Sequence, residues 1–244
     1  MNATRPSFDS RWHPGPDRPL LVDGEIDVWR INLVGTLADA EAVLSPDERQ
    51  RASRFLLGRD ALQFALSRAA LRRILGRYVG GAPAELAFRT GARGKPRLDG
   101  RPGTSIRYNL THSHEMALCA VGTAELGVDI EWIRPAPMAA GIAAGIVTTQ
   151  GPIFPDEIPS PELDWVFFTT WTRTEAALKA IGEGLSAIDR RSPEWIRSLS
   201  VPGATTPAGL PMPVVDLPVG DGYAAALAIV GGTPTAIRCW TWAG

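Results

Sequence analysis

The sequence predicts an α+β protein. Stretches with helical periodicity and stretches with the two-residue periodicity of strands occur in both halves of the chain. Two long segments, about 59–79 and 164–181, carry apolar residues at helical spacing. Short runs at 25–33, 106–110, 116–121 and 126–131, and several after residue 193, read as strands joined by Gly, Pro and polar turns. The 244 residues suffice for one large domain or two small lobes, and 45% hydrophobic with 21% charged residues is the composition of a soluble globular chain. A formal net charge of −1 gives no global attraction to nucleic acid or membrane.

Residues 1–24 hold Pro6, Pro14, Pro16 and Pro19 and read as an extended lead-in without the apolar core of a secretion signal. Glu25 to Leu33 is the first strand. Ser45-Pro46-Asp47-Glu48 is a helix start: Ser45 caps, Pro46 suits the first turn and Glu48 completes a capping box. That helix is expected to run to about Leu57 with Gly58 as its stop, and the next from Arg59 to Val79, ended by Gly80-Gly81. Arg49, Arg51, Arg54, Arg59, Arg68, Arg72, Arg73 and Arg77 crowd this pair. They read either as two solvated helices or as a patch for a local anion. Glu85 to Arg89 is a short strand. The loop that follows, Gly91-Ala92-Arg93-Gly94-Lys95-Pro96-Arg97, is either a basic turn or a phosphate-facing loop in which Pro96 stiffens the presentation of Lys95.

Ile106 to Leu110 is expected to stop at a turn, Thr111-His112-Ser113-His114, with Met116 to Val121 pairing back. Thr111 and His112 at a strand end could cradle a phosphate. Residues 132–163 are rich in Pro, Gly and Ala. Met138 to Val147 could form a weak helix there and the rest a loop. After residue 193, strands are expected at Trp195 to Val201, Val214 to Leu217, Tyr223 to Val230 and Thr235 to Trp242. The last two form a hairpin through Gly231-Gly232-Thr233-Pro234. Cys119 and Cys239 lie in apolar runs, which points to buried free thiols in a reducing compartment, hence the cytoplasm. No run reaches membrane-spanning length.

The candidate chemistry centres on Leu126-Gly-Val-Asp-Ile-Glu131. On a strand, Asp129 and Glu131 share one face while Val128 and Ile130 point into a core. Two carboxylates on one face repel unless a positive charge lies between them, and hard cations prefer carboxylate oxygen. Mg²⁺ is the expected ion; a merely acidic solvent face is the other reading. On the 164–181 helix, Phe167, Trp171, Thr174, Leu178 and Ile181 line one stripe, with Glu175 at its edge and Lys179 one turn on. Glu175 is either a third acid for the cation or half of a helical ion pair with Lys179, worth about 0.3–0.5 kcal/mol.

Several motifs in order resemble the 4′-phosphopantetheinyl transferases of the surfactin-synthetase-activating (Sfp) type. They are Gly94-Lys95-Pro96, Tyr108-Asn-Leu-Thr-His-Ser113, Gly127-Val-Asp-Ile-Glu131 and Trp171-Thr-Arg-Thr-Glu-Ala-Ala-Leu-Lys-Ala180. Gly182, Gly184-Leu185 and the 45–75 helix pair also match. The resemblance implies two similar α+β lobes with the active site between them, a lobe at 25–124 and another at 125–244. It implies transfer of the phosphopantetheine arm of coenzyme A to a serine of an apo carrier protein of fatty-acid, polyketide or nonribosomal peptide synthesis, releasing 3′,5′-ADP. In that reading Asp129, Glu131 and Glu175 hold Mg²⁺, and Glu175, or a water it orients, takes the serine proton. Lys179 stabilises phosphate charge. Lys95, Thr111 and His112 hold coenzyme A phosphates, Pro96 packs near the adenine, and Arg51, Arg54 and Arg72 serve the nucleotide end. A monomer is the simplest case if both half-sites lie in one chain. Two departures stand out: Thr174 precedes Glu175 where the family usually has Lys, and Phe154-Pro155-Asp156-Glu157 is a displaced form of the family's acidic helix start. They leave open a protein of this fold that binds coenzyme A or a carrier without catalysis.

Overall fold

The computed structural model describes residues 7–8, 11–91, 94–99, 106–135, 161–184 and 191–244. The expectations for 138–147, for 154–157 and for Leu185 lie outside these residues. In chain order the strands are β1 (Ser7–Phe8), β2 (His13–Pro14), β3 (Glu25–Asn32), β4 (Ala87–Thr90), β5 (Pro96–Asp99), β6 (Arg107–Ser113), β7 (Met116–Gly122), β8 (Leu126–Trp132), β9 (Val214–Asp216), β10 (Tyr223–Ile229) and β11 (Ala236–Thr241). The helices are α1 (Leu37–Glu41), α2 (Pro46–Ala52), α3 (Gly58–Val79), α4 (Pro161–Ile181) and α5 (Pro193–Ser198). The fold is α+β, in two compact units.

The first unit comprises Met1–Ala92, Pro96–Thr123 and Pro234–Gly244. Its sheet runs β1-β11-β3-β7-β6, with β2 also on β11. The β3-β7-β6 part is antiparallel, while β11 runs parallel to β3. Trp29, Ile31, Tyr108, Ala117, Cys119 and Val121 from these strands pack with Leu71, Ile74 and Leu75 of α3 in one buried cluster. The alternation seen in Glu25–Asn32 is therefore real, but both faces are covered: Ile26, Asp27, Val28 and Trp29 are all buried. Asp27 is tolerated at 0% exposure because it accepts from Arg238 Nε, Trp240 Nε1 and Tyr78 Oη.

The second unit comprises Arg93–Lys95 and Ala124–Thr233. Its antiparallel sheet has the order β8-β10-β9, and α4 packs on it through Ala176, Ala177 and Ala180 against Ala226 and Ala228 of β10. Small side chains on both partners let the helix lie close to the sheet.

Four expectations are corrected. The capping box of Ser45 and Glu48 is present, but α2 ends at Ala52, and Gly58 opens α3 instead of stopping α2. Leu57, extended at φ −104° and ψ 127°, breaks the two helices apart. The strand expected to end at Leu110 continues through Thr111, His112 and Ser113, because each pairs with β7; His114, at φ 52°, makes the reversal. Residues 195–201 begin as helix, not strand: Ser192 accepts from Trp195 N and Pro193 sits in the first turn. Finally, 223–230 and 235–242 form no hairpin. β10 already has β8 on one edge and β9 on the other, and β11 pairs with β3 in the first unit. The chain after Thr233 thus belongs with the first unit and not with 125–233.

Candidate functional site: three carboxylates and a lysine

β8 is buried on both faces, so its acids stand in a largely apolar surround: Val128 and Ile130 are at most 1% exposed and Asp129 is 2% exposed. Glu131, nearer the strand end, is half-buried. α4 crosses beside this strand at very short range. A Cβ built on Gly127 would lie 2.2 Å from Ala176 O, 2.4 Å from Ala180 N and 2.8 Å from Lys179 Cβ. Only glycine permits that approach, and it delivers Glu175 and Lys179 to Asp129.

Asp129, Glu131 and Glu175 each offer a carboxylate oxygen, and these atoms all lie within 4.8 Å of one another. Lys179 Nζ sits 2.5 Å from Asp129 Oδ1 and 3.2 Å from Glu175 Oε2. The electrostatics follow from burial. Desolvation pushes the Asp129 carboxyl up to about 7; Lys179 opposes this, while Glu175 and Glu131 add to it. Burial alone would lower the Lys179 ammonium, but attraction to Asp129 and Glu175 outweighs it and raises it. The cluster has one ammonium among three acids, and three carboxylate oxygens at such spacing suit a small hard divalent cation.

Residue by residue, the expected constellation divides. Asp129, Glu131, Glu175 and Lys179 come together. On α4 the buried side is carried by Phe168, Thr172, Ala176 and Ala180, with Thr174, Ala177 and Leu178. Of the expected stripe, Thr174 and Leu178 are buried, while Phe167, Trp171 and Ile181 are only half-buried, with Phe167 and Trp171 stacked at 5.9 Å. Lys95 belongs to the second unit, and its ammonium donates to Leu126 O at 2.7 Å and Glu125 Oε2 at 3.1 Å. The Lys95 ammonium is thus engaged by acceptors of its own unit.

The remaining candidates lie in the first unit. Thr111 and His112 are consecutive on β6, so they take opposite faces; Thr111 is buried and His112 exposed. Pro96 opens β5 and is exposed. Arg51 and Arg54 are exposed, with the Arg51 guanidinium over the Phe64 ring at 5.2 Å. Arg72 is 2% exposed and donates to Glu48, Pro83 O and Leu86 O, so it tethers α3 to α2 and to the turn after α3.

Thr174 has a structural explanation. It is fully buried, and its hydroxyl donates to Thr170 O at 2.8 Å, so the helix backbone takes up its polar group. Arg173 beside it makes a bidentate pair with Asp216 and offers no substitute cation. Thr174→Lys is expected to cost about 1–3 kcal/mol of stability through overpacking and a desolvated charge. Denaturant unfolding checks this; a variant as stable as the wild type with tighter coenzyme A binding would contradict it.

Fold and site together define an α+β protein with a cluster of three carboxylates and an adjacent lysine, a combination suited to moving a phosphoryl-bearing group. Known proteins agree. Residues 32–124 match the family description "4′-phosphopantetheinyl transferase, N-terminal", and residues 125–206 match "4′-phosphopantetheinyl transferase superfamily". The chain is 36% identical over 183 residues to 4′-phosphopantetheinyl transferase HetI of Nostoc sp., a match covering 73% of this chain and 77% of that protein. It is 30% identical to 4′-phosphopantetheinyl transferase psf-1 of Bacillus pumilus (59% of this chain, 60% of that protein). It is 25% identical to 4′-phosphopantetheinyl transferase Sfp of Bacillus subtilis (59% and 62%). The chain thus spans about three-fifths of the two Bacillus relatives. It belongs to the 4′-phosphopantetheinyl transferase superfamily and is an enzyme of that transferase class.

Proposed function

We propose that this chain transfers the 4′-phosphopantetheine arm of coenzyme A to a serine of an apo acyl or peptidyl carrier protein, with Mg²⁺ as the resident cation. The observation that carries the reading is the convergence of Asp129, Glu131 and Glu175 around Lys179 in a chain of this family. The serine oxygen attacks the phosphorus that bears the pantetheine arm. A new P–O bond forms, the bond to the ADP phosphate breaks, and 3′,5′-ADP leaves with the electron pair. Mg²⁺ held by Asp129, Glu131 and Glu175 would supply neutralisation of the pyrophosphate charge. The Lys179 ammonium, held charged by its neighbours, adds positive charge at the same place. Glu175, half-buried beside Lys179, is the candidate for taking the serine proton, through a water it orients when the carboxylate itself ligates the cation, since a fully ligating carboxylate cannot also act as base. Thr111 and the exposed His112 remain the candidates for coenzyme A phosphates, with Pro96 near the adenine and Arg51 and Arg54 at the nucleotide end.

All four central residues lie in one unit of one chain, which supports a monomeric enzyme. Buried free Cys119 and Cys239 support a reducing compartment such as the cytoplasm. No helix among the described residues is long and apolar enough to cross a membrane. Carriers of fatty-acid, polyketide and peptide synthesis all present the required serine. Intact-protein mass spectrometry of apo carriers with this chain, coenzyme A and Mg²⁺ tests the reaction. The expected result is a gain of one phosphopantetheine arm that a chelator abolishes; no gain on carriers of any of these classes would favour coenzyme A or carrier binding without catalysis.

Cation binding is expected to be proton-linked. With its carboxyl raised to about 7, Asp129 must lose a proton to ligate, so Mg²⁺ affinity weakens as pH falls below 7. The metal-free protein is expected to follow the opposite trend in stability. Its native Asp129 binds a proton more tightly than the unfolded chain, whose value is 3.8, so stability declines as pH rises from about 4 to about 7. Thermal melts with and without Mg²⁺ at pH 5.5 and pH 8 check both signs: the Mg²⁺-induced upshift should be larger at pH 8.

A further inference from the structure

We infer that Lys95 is a positioning residue that sets the register of α4 against β8, and so acts on the carboxylate cluster without touching a ligand. This rests on the cation reading above. Within its own unit the Lys95 ammonium donates to Leu126 O at 2.7 Å, Glu125 Oε2 at 3.1 Å and Ala180 O at 3.3 Å. Its side chain is only 10% exposed. Leu126 is the first residue of β8, and Ala180 lies in the last turn of α4. The carbonyls of a helix's last turn have no intrahelical partner and carry the negative end of the helix dipole, so a buried ammonium is a strong partner for one of them.

The joint adjoins the site on both elements. One residue on from Leu126 is Gly127, whose missing side chain lets Ala176 and Ala180 approach; two further is Asp129. Immediately before Ala180 is Lys179, and Glu175 is one turn earlier. Gly127 allows close approach but does not fix sliding of the helix along the strand. A hydrogen-bonded ammonium shared between one carbonyl on each element does fix it. The turn that delivers Lys95 depends on Gly94 at φ +81°, a conformation that L side chains rarely adopt.

Three measurements on the full chain test the role: Mn²⁺ affinity by electron paramagnetic resonance, coenzyme A affinity by calorimetry without divalent ions, and kcat and KM for transfer. Lys95→Met should weaken Mn²⁺ binding by about tenfold, as loss of a group that supports metal ligands does, and lower kcat in step. Metal-free coenzyme A affinity should stay within about twofold. Lys95→Cys should behave like Lys95→Met, and aminoethylation with 2-bromoethylamine should restore Mn²⁺ affinity by rebuilding the ammonium; Cys119 and Cys239 are buried from the reagent. If Lys95→Met does not fold, Glu125→Gln keeps the ammonium but removes its carboxylate partner, and should weaken Mn²⁺ binding in the same direction. The role is overturned if the folded variants bind Mn²⁺ as the wild type does, or if coenzyme A affinity falls tenfold while Mn²⁺ affinity holds. A wild type that binds no Mn²⁺ overturns the cation reading itself, and this role with it.

Discussion

Gly127→Ala is expected to lower stability by about 3 kcal/mol and to abolish most transfer activity. The added methyl would meet backbone atoms of α4, Ala176 O at 2.2 Å and Ala180 N at 2.4 Å, and backbone in a packed helix cannot rotate aside as a side chain tip can. The helix must move off β8, and its alanine face loses contact with β10. For a chain of this size the stability loss corresponds to a fall in melting temperature of roughly 10 °C. Glu175 and Lys179 travel with the helix, so the carboxylates separate and cation binding weakens as well. Calorimetric melting combined with Mn²⁺ titration measures both effects. A variant that melts within about 1 °C of the wild type would show that the close approach does not govern the position of the helix.

The second large effect is catalytic without being structural. Asp129→Asn keeps the shape of the side chain but removes the most buried carboxylate of the cluster. Transfer should fall by at least about a hundredfold, the scale on which loss of one group stabilising developing charge is felt. Stability of the metal-free protein at pH 8 should change little. The ionised Asp129 is costly to bury, and its attraction to Lys179 only partly offsets that cost. Glu175, 3.2 Å from Lys179, still gives the ammonium a partner in the variant. Mass spectrometry of carrier modification gives the first quantity and denaturant unfolding the second. Full activity in Asp129→Asn would remove this carboxylate from the cation site.

Much of the fold was legible because local rules agreed with the outcome. The Ser45–Glu48 box begins α2, and the apolar spacing of 59–79 is α3 with its left-handed Gly80. Asp129 and Glu131 alternate with Val128 and Ile130 as a strand requires. The errors have two causes, one local and one tertiary. Residues 195–201, rich in Trp, Ile, Leu and Val, satisfied strand composition, but the Ser192 cap and Pro193 select a helix start, a signal available in the sequence. The 231–234 turn looked like a hairpin because turn chemistry does not say which edges are already occupied.

The α+β class, the acidic strand, the helix carrying Glu175 and Lys179, and the order of motifs that marks the superfamily are all written locally in the chain. Those properties reside in short-range periodicity and spacing, which the chain carries wherever it is placed. Which cations face the acids depends on long-range packing. Arg72 and Lys95 both read as ligand-facing in a string of residues, yet burial and nearby carbonyls engage each of them within the fold. Gly127 likewise has its meaning only beside α4. A charge's role depends on its desolvation and on the acceptors around it, and residues distant in the chain supply both.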